Sequence, residues 1–597
     1  MASTLPPTHL PTWDLQFFYS SFDSAEHLAA RQDLEAQLTV LEAQLDQEGI
    51  DGGDALPADA TQAHRARSLV DRLNHLMTNM TPMRAYAYGR LTTDAGDEEA
   101  QAAIGYLTKQ GIRASKIETR FTAWLGRFDV AQLVAHDAVL QDHAFALHKR
   151  ATEAKHQMTM AEEALAADMG ETGGSAWSRL YGNFSSQIEV VVNGDSMPMS
   201  AVRNLAYDSD PNVRKAGYEA ELAAWSRNEI PIAAAINAIK GETLLLAKRR
   251  GWGHPLEYVL FDNHMDRASL DAMMSAAQKS FPDWRRYLRA KAKALGHEGG
   301  LPWYDMFAPL GEERSYEYAE AEHFVEDMFR RYSDKMGDLA RTSYDERWTD
   351  AGPKRGKRDG AFCMSAGQGK SRILMNFKPA FGSVATLAHE LGHAYHNQCL
   401  AIRQPLQRDT PMPLAETASI FCETIIKRAA LQETEGAAKV AILEASLQGA
   451  CQVVVDITSR YRFEESVFAG RAERDLSPRE LCDAMRAAQD STYGDGLSCG
   501  HPYMWAVKPH YYSYGAYYNF PYMFGLLFAL GLYDVYTQDP DAFRDRYDDL
   551  LASTGMFDAA TLAQRFGIDI RDEAFWQRSL GVLVEDIDEF EQLVTNG

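Results

Sequence analysis

Apolar positions divide this chain before any chemistry is considered. Leu34, Leu38, Leu41 and Leu45 recur every three or four residues between positions 24 and 48, the period of one buried face of an α-helix. GIDGGDALPADA (49–60) interrupts that stripe, and a second one follows at Leu69, Leu73 and Leu76, which predicts a helical hairpin. Helical periodicity then continues to about residue 170. Charges beside the leucines do not alternate over several heptads, so the stripes read as packing seams rather than as a coiled-coil interface.

Two regions depart from this texture. Gln187-Ile188-Glu189-Val190-Val191-Val192, followed by Asn193-Gly194-Asp195, predicts a strand entering a tight hairpin turn. Asp210-Pro211 then opens a long helix that ends at Gly251-Trp252-Gly253. Further on, Phe362-Cys363-Met364 and Arg372-Ile373-Leu374-Met375-Asn376-Phe377 flank SAGQGKS and predict a small β-hairpin. GQGKS is not a phosphate loop, because Met364 stands where the first glycine of that signature belongs and no helix opens at Lys370-Ser371. The apolar run Phe520 to Tyr533 ends at Asp534, too short to span a bilayer, and predicts a buried helix.

A length of 597 residues exceeds what one core can organise, and the pattern suggests an N-terminal helical region over 1–200 followed by a larger region over 201–597. The net charge of −24 excludes nucleic acid and anionic membranes as partners, since the summed field repels phosphate. Lys354-Arg355-Gly356-Lys357-Arg358 is the one dense basic run, and it reads as a solvated loop. Six cysteines without CxxC spacing, together with a first segment lacking a basic and an apolar stretch, predict a reduced, cytoplasmic protein.

Chemistry concentrates in GSVATLAHELGHAYH (382–396), where His389-Glu390-Leu391-Gly392-His393 forms an HExxH motif. Two imidazoles four residues apart project from one helical face and reach a single zinc ion, and the intervening glutamate is set to activate a water. A catalytic zinc takes a third protein ligand. The metzincin pattern would place it at 399, which is Cys399, and would need glycine where His396 stands, so that class is excluded and His396 reads as a packed or hydrogen-bonded histidine. PLAETASIFCE (413–423) offers carboxylates instead: Glu416 completes a His₂Glu set, and Glu423, seven residues on along one helical face, is suited to orient a histidine ligand. An aromatic segment, His510 to Tyr522, carries neutral donors suited to an oxyanion.

HELGHAYH, PLAETASIFCE, LPWYDMFAPL (301–310), GAFCMS with RILMNF, and PHYYSYGAYYNFPY together resemble the thimet oligopeptidase family of zinc metallopeptidases, on its oligoendopeptidase F branch. The likeness is dense from about residue 200 onward and loose before it, with WDL near the start as a landmark. It implies a mainly α, two-lobed enzyme with a deep substrate channel and a small β-sheet beside the HExxH helix, cleaving short peptides internally. It further implies one Zn²⁺ per chain on His389, His393 and Glu416, with Glu390 activating the water and His510 acting beside a tyrosine. Counting from His510 favours Tyr522 and leaves Tyr518 open. The strand holding Ile373, Leu374, Met375 and Asn376 would pair with the substrate backbone. Two other readings stay open: a zinc exopeptidase, which shares HExxH plus a distant glutamate, and a non-catalytic peptide-binding protein with a vestigial metal site.

Overall fold

A computed structural model describes residues 10–312, 314–513 and 515–596. The Pro-rich lead (1–9) and Tyr514 of the aromatic segment lie outside the described residues. The architecture is mainly helical and two-lobed.

The first stripe forms α1 (Ala25–Glu48) and the second α2 (Ala60–Thr93), each opened by a side chain that accepts a backbone N–H, Ser24 and Asp59. Against them packs α3 (Glu98–Leu125), and α4 (Ala144–Ala154) packs on α3. The leucines of both stripes meet in one core that draws on residues 19 to 151, with Leu406 reaching in from far along the chain.

The turn chemistry at 193–194 does what its residues favour. β1 (Glu189–Val192) and β2 (Asp195–Pro198) pair antiparallel across Asn193 and Gly194, both with positive φ, 53° and 99°. Val190 and Val192 face inward and join Tyr181, Trp225 and Ile236 with Trp505, Tyr511 and Tyr512 in a second core. Tyr181 stacks on Tyr512 at 3.6 Å and its hydroxyl donates to the Ala506 carbonyl at 3.0 Å. The cores therefore divide between Ala151 and Tyr181, ahead of the boundary expected at residue 200, because the hairpin buries its valines against the C-terminal lobe.

The long helix α5 (Pro211–Arg249) and the short α6 (Pro255–Asp262) follow. Two helical stretches, Pro211–Arg249 and Gly436–Glu473, are long and apolar enough to cross a membrane, and both feed the protein interior, through Ile232 and Ile236 in the one case and Leu443 and Leu447 in the other.

β3 (Thr349–Asp350), β4 (Phe362–Gly367) and β5 (Lys370–Leu374) form a sheet in the order β3-β5-β4. The expected hairpin is present, but it turns tightly at Gln368-Gly369. β5 is the central strand. Ile373 donates to Trp348 at 2.9 Å and Met375 to Asp350 at 3.0 Å on one side, while Phe362 and Cys363 pair with Leu374 and Ile373 on the other. Ile373, Leu374 and Met375 are buried, and the Asn376 amide donates to the Arg358 and Gly360 carbonyls, 3.0 Å each. These four residues therefore cannot receive an added strand, and the open edge of the sheet belongs to β4.

The basic run also differs from its expected solvated form. Lys357 folds inward, its Nζ donating to Asp350 Oδ1 at 2.6 Å and to the carbonyls of Gly352 and Met375 at 2.8 and 2.7 Å. Its side chain is 0% exposed, and burial lowers its pKa. An ion pair can persist there because nearby acceptors replace the lost water.

The HExxH segment lies in α7 (Phe381–Leu400), and α8 (Thr417–Glu433) crosses it. The apolar run forms α9 (Phe520–Gln538), with Phe524, Leu527 and Phe528 fully buried as expected. It packs against the C-terminal helix α10 (Glu573–Asn596).

Candidate active site

Gly392, inside the motif, sets how near α8 comes. A methyl group on it would lie 2.6 Å from the Ala418 carbonyl oxygen and 2.6 Å from the Ser419 Cα, so only hydrogen fits. Gly525 does the same for α9, where a methyl would meet the Glu416 Cβ at 2.8 Å. Two side-chain-free positions thus let two helices close on Glu416.

Glu416 stands at the joint between a short turn, Met412–Ala415, and α8, one position ahead of the regular helix on which the sequence places it. From there its Oε2 lies 3.3 Å from His389 Nε2 and 3.5 Å from His393 Nε2. Tetrahedral zinc with ligands at ~2.0–2.1 Å spaces them roughly 3.3 Å apart, so these donors fit the ion. The three ligand atoms all lie within 4.8 Å of one another, and no other such group of His, Cys, Asp or Glu occurs among the described residues.

The supports around these ligands explain why they point this way. Glu423 Oε2 lies 3.1 Å from His389 Nδ1, which puts the proton on Nδ1 and leaves the Nε2 lone pair for a metal. Ser419 Oγ donates to Glu416 Oε2 at 2.7 Å. In the metal-free protein burial opposes charge on His389, but hydrogen bonds to Glu416 and Glu423 outweigh it and carry its pKa to about 10, so a proton holds Nε2 to Glu416 until a metal takes its place. Glu416 is also buried, and its histidine partners outweigh that penalty, holding it at about 2. His393 has the opposite fate, with burial lowering it to about 4.

Glu390 is 5% exposed, its Oε2 has no hydrogen-bond partner, and burial raises its pKa to about 7. A cavity of about 530 Å³ opens onto His389, Glu390, His393 and Glu416, with Phe362, Cys363 and Ser365 of the edge strand β4 along its side. His396 does not join the ligands: its Nε2 lies 2.9 Å from Thr554 Oγ1 and 3.1 Å from the Leu551 carbonyl, in a buried setting.

His510, Tyr518 and Tyr522 form one aromatic cluster. The His510 ring stacks on Tyr518 at 4.8 Å, and Tyr518 lies 6.0 Å from Tyr522. Burial, then a hydrogen bond with Tyr518, raise the Tyr522 phenol, and the charge of Glu416 adds to this. Tyr522 therefore lies within electrostatic reach of Glu416. None of the three lines the cavity holding those ligands; Tyr518 lines the neighbouring one. Sequence reasoning missed what stands behind His510: Asn519, whose Oδ1 accepts from Arg460 at 3.1 Å, and Asp456, which pairs with Arg460. The sequence reading also passed over Ser419, which its spacing of three from Glu416 could have marked; nothing in the sequence marks Arg460.

The family model "Peptidase family M3" matches residues 204–582, and "Oligopeptidase F" matches 125–189. An oligoendopeptidase F homolog of Lactococcus lactis subsp. lactis (strain IL1403) is 23% identical over 614 residues, covering 98% of each chain. Among solved structures, a peptidase from Chlamydophila abortus superposes with TM-score 0.81 at 20% identity, over 97% of this chain and 98% of that one. Oligoendopeptidase-F from Enterococcus faecium gives 0.68 at 20% identity, over 95% and 98%. With the family model spanning more than half of the chain, from just after the hairpin into the last helix, the protein belongs to peptidase family M3 and is a metallo-oligopeptidase.

Proposed function

We propose that the chain is a zinc-dependent endopeptidase of short oligopeptides, with Glu390 as the general base. The observation that carries the reading is the spacing of His389, His393 and Glu416, matched to one tetrahedral ion with Glu390 beside it. Zinc on these ligands supplies Lewis acidity, polarising a peptide carbonyl and acidifying a water. Glu390 Oε2 takes the proton of that water and delivers it to the departing amine. Glu423 keeps His389 in one tautomer throughout. The edge of β4 holds the substrate backbone in extended form by main-chain hydrogen bonds, which bind peptides with little regard to sequence. His510 and the hydroxyl of Tyr522 or Tyr518 donate to the oxyanion, Tyr522 being favoured by its electrostatic contact with Glu416.

Internal cleavage, rather than trimming of ends, is supported by the cavities that adjoin the one holding the ligands. Volumes of about 640 and 1240 Å³ each share Asp409 with the central one, so a peptide has room to extend beyond the cleaved bond. The six free cysteines suit a reducing, cytoplasmic setting.

The test is Glu390→Gln with an N-acetylated, C-amidated fluorogenic peptide. The wild-type protein should cut the capped peptide and lose that activity with chelator, whereas the variant should retain zinc by elemental analysis and lose at least about a hundredfold in kcat. Full turnover by the variant would remove Glu390 from the reaction, and failure of the wild type on capped peptides alone would favour an exopeptidase.

A further inference from the structure

The cavity that holds the metal ligands and the neighbouring one of about 1240 Å³ meet at a throat formed by Ser365, Asn397, Leu400, Arg408 and Asp409. Arg408 follows the short turn Pro405–Gln407, whose Leu406 is buried in the N-terminal core. Its side chain folds back on the end of α7: Nε donates to the Arg403 carbonyl at 2.8 Å and Nη2 to the Ala401 carbonyl at 3.3 Å. A guanidinium carries five N–H donors, and these bonds use two of them. Both protons of Nη1 and the second of Nη2 have no acceptor among the described residues, and Nη1 is accessible rather than sealed in. The two carbonyls hold the fork in place without neutralising its charge.

The charges around it are committed elsewhere. Arg408 joins no ion pair among the described residues, and burial alone lowers its pKa, with no neighbouring charge of either sign acting on it. Asp409, the next residue, pairs with Lys149 instead, Oδ2 to Nζ at 3.4 Å. On the larger cavity Arg150 pairs with Glu118 at 2.8 Å, and Arg84 and Glu153 remain as one charge of each sign. On the inner side Glu390 and Glu416 belong to the metal chemistry. A half-buried guanidinium without a counter-ion, held with free N–H groups at its tip, is the group that grips a carboxylate through parallel hydrogen bonds. The same throat includes Ser365 of β4, the edge strand assigned to the peptide backbone, so a peptide lying along β4 passes the fork.

We propose that Arg408 is a specificity-determining residue that binds a carboxylate of the peptide substrate, an Asp or Glu side chain or the free carboxyl end, at a fixed distance from the cleaved bond. The inference rests on the peptidase reading above and deepens it, favouring peptides that carry such a group over neutral ones of the same length.

The test reads binding, so it does not depend on turnover. Zinc-loaded Glu390→Gln protein is titrated with labelled glutamine-rich peptides in which a single glutamate is walked through every position, each peptide made with a free and with an amidated carboxyl end. One glutamate position, or the free end, should bind about tenfold tighter than its glutamine or amidated counterpart, the scale of one charge-assisted hydrogen bond. A glutamate-dependent gain identifies a side chain as the occupant, and an amidation-dependent loss identifies the terminus. Adding Arg408→Gln should bring the ratio to about one. A role confined to capping α7 would lower Tm and weaken every peptide alike, leaving the ratio as it was. Arg408→Lys, which keeps the charge and loses the fork, covers the case in which the glutamine variant does not fold, and should cut the gain by at least about threefold. Equal affinity across the set, or a ratio that these substitutions leave unchanged, overturns the assignment. Failure of the wild-type protein to cleave any of these peptides counts against the peptidase reading instead, and leaves the binding comparison intact.

Discussion

His389 is gripped from two directions, by Glu416 on the side that faces a metal and by Glu423 on the other. The second grip decides which nitrogen is free to ligate. Replacing Glu423 with alanine should lower zinc affinity by about 10–100-fold while leaving all three ligands in place, read by competition with a coloured chelator. Unchanged affinity would mean that packing alone orients the ring. At this scale much of the site is legible in the sequence, because helical spacing fixes which side chains share a face, and His389 and His393 need nothing else. Glu416 is less direct: its composition-poor surroundings of Ala, Ile, Phe and Cys mark it as a buried acid, but its place at a joint between two helical segments appears only in three dimensions. Asn519 and Arg460 recur with no period relative to His510, so no pattern connects them to it.

Among the elements, the contacts at Gly392 control the distance between α7 and α8. Gly392→Ala should therefore do more than remove a helix-weakening residue. The added methyl must push against the Ala418 carbonyl and Ser419 Cα, a strain of about 1–3 kcal/mol, and move Glu416 away from the histidines. Differential scanning calorimetry should show a lower Tm, and zinc should protect the variant less than the parent. A variant as stable as wild type, with equal zinc protection, would show that the two helices have slack. The sheet carries the clearest limit on sequence reading. RILMNF has the β-prone residues of a binding strand, and its propensity is correctly strand-like over Lys370–Leu374. Which edge stays open is decided by Thr349–Asp350, a partner of two residues, too short to leave a periodicity of its own.

For the whole molecule, the helical class and the N-terminal leucine seams follow from periodicity, whereas the division between lobes does not. The hairpin at 189–198 lies between helices that read alike, and only burial of Val190 and Val192 against Trp225 and Ile236 assigns it to the C-terminal side. The cavities between the lobes set a whole-molecule expectation as well. One of them, about 1240 Å³, is walled by α2, α3 and α4 opposite the β4–β5 turn, which leaves room for an extended chain. A peptide cut when free should survive when the same sequence is embedded in a stably folded domain, as followed by mass spectrometry over time. Equal cleavage of both forms would mean that the lobes part widely enough to admit folded protein.

Lys357 has a consequence for how this protein meets other proteases. Lys354-Arg355-Gly356-Lys357-Arg358 has the composition of a ready site for a trypsin-like enzyme, and Lys354 and Arg355 are exposed. Lys357 cannot be offered to such an enzyme without withdrawing its ammonium from Asp350, Gly352 and Met375, which would open the sheet that flanks the metal ligands. Within this loop Lys357 is thereby withheld from cutting for as long as the sheet is intact, and a cut after Lys357 marks molecules whose active-site strands have already come apart.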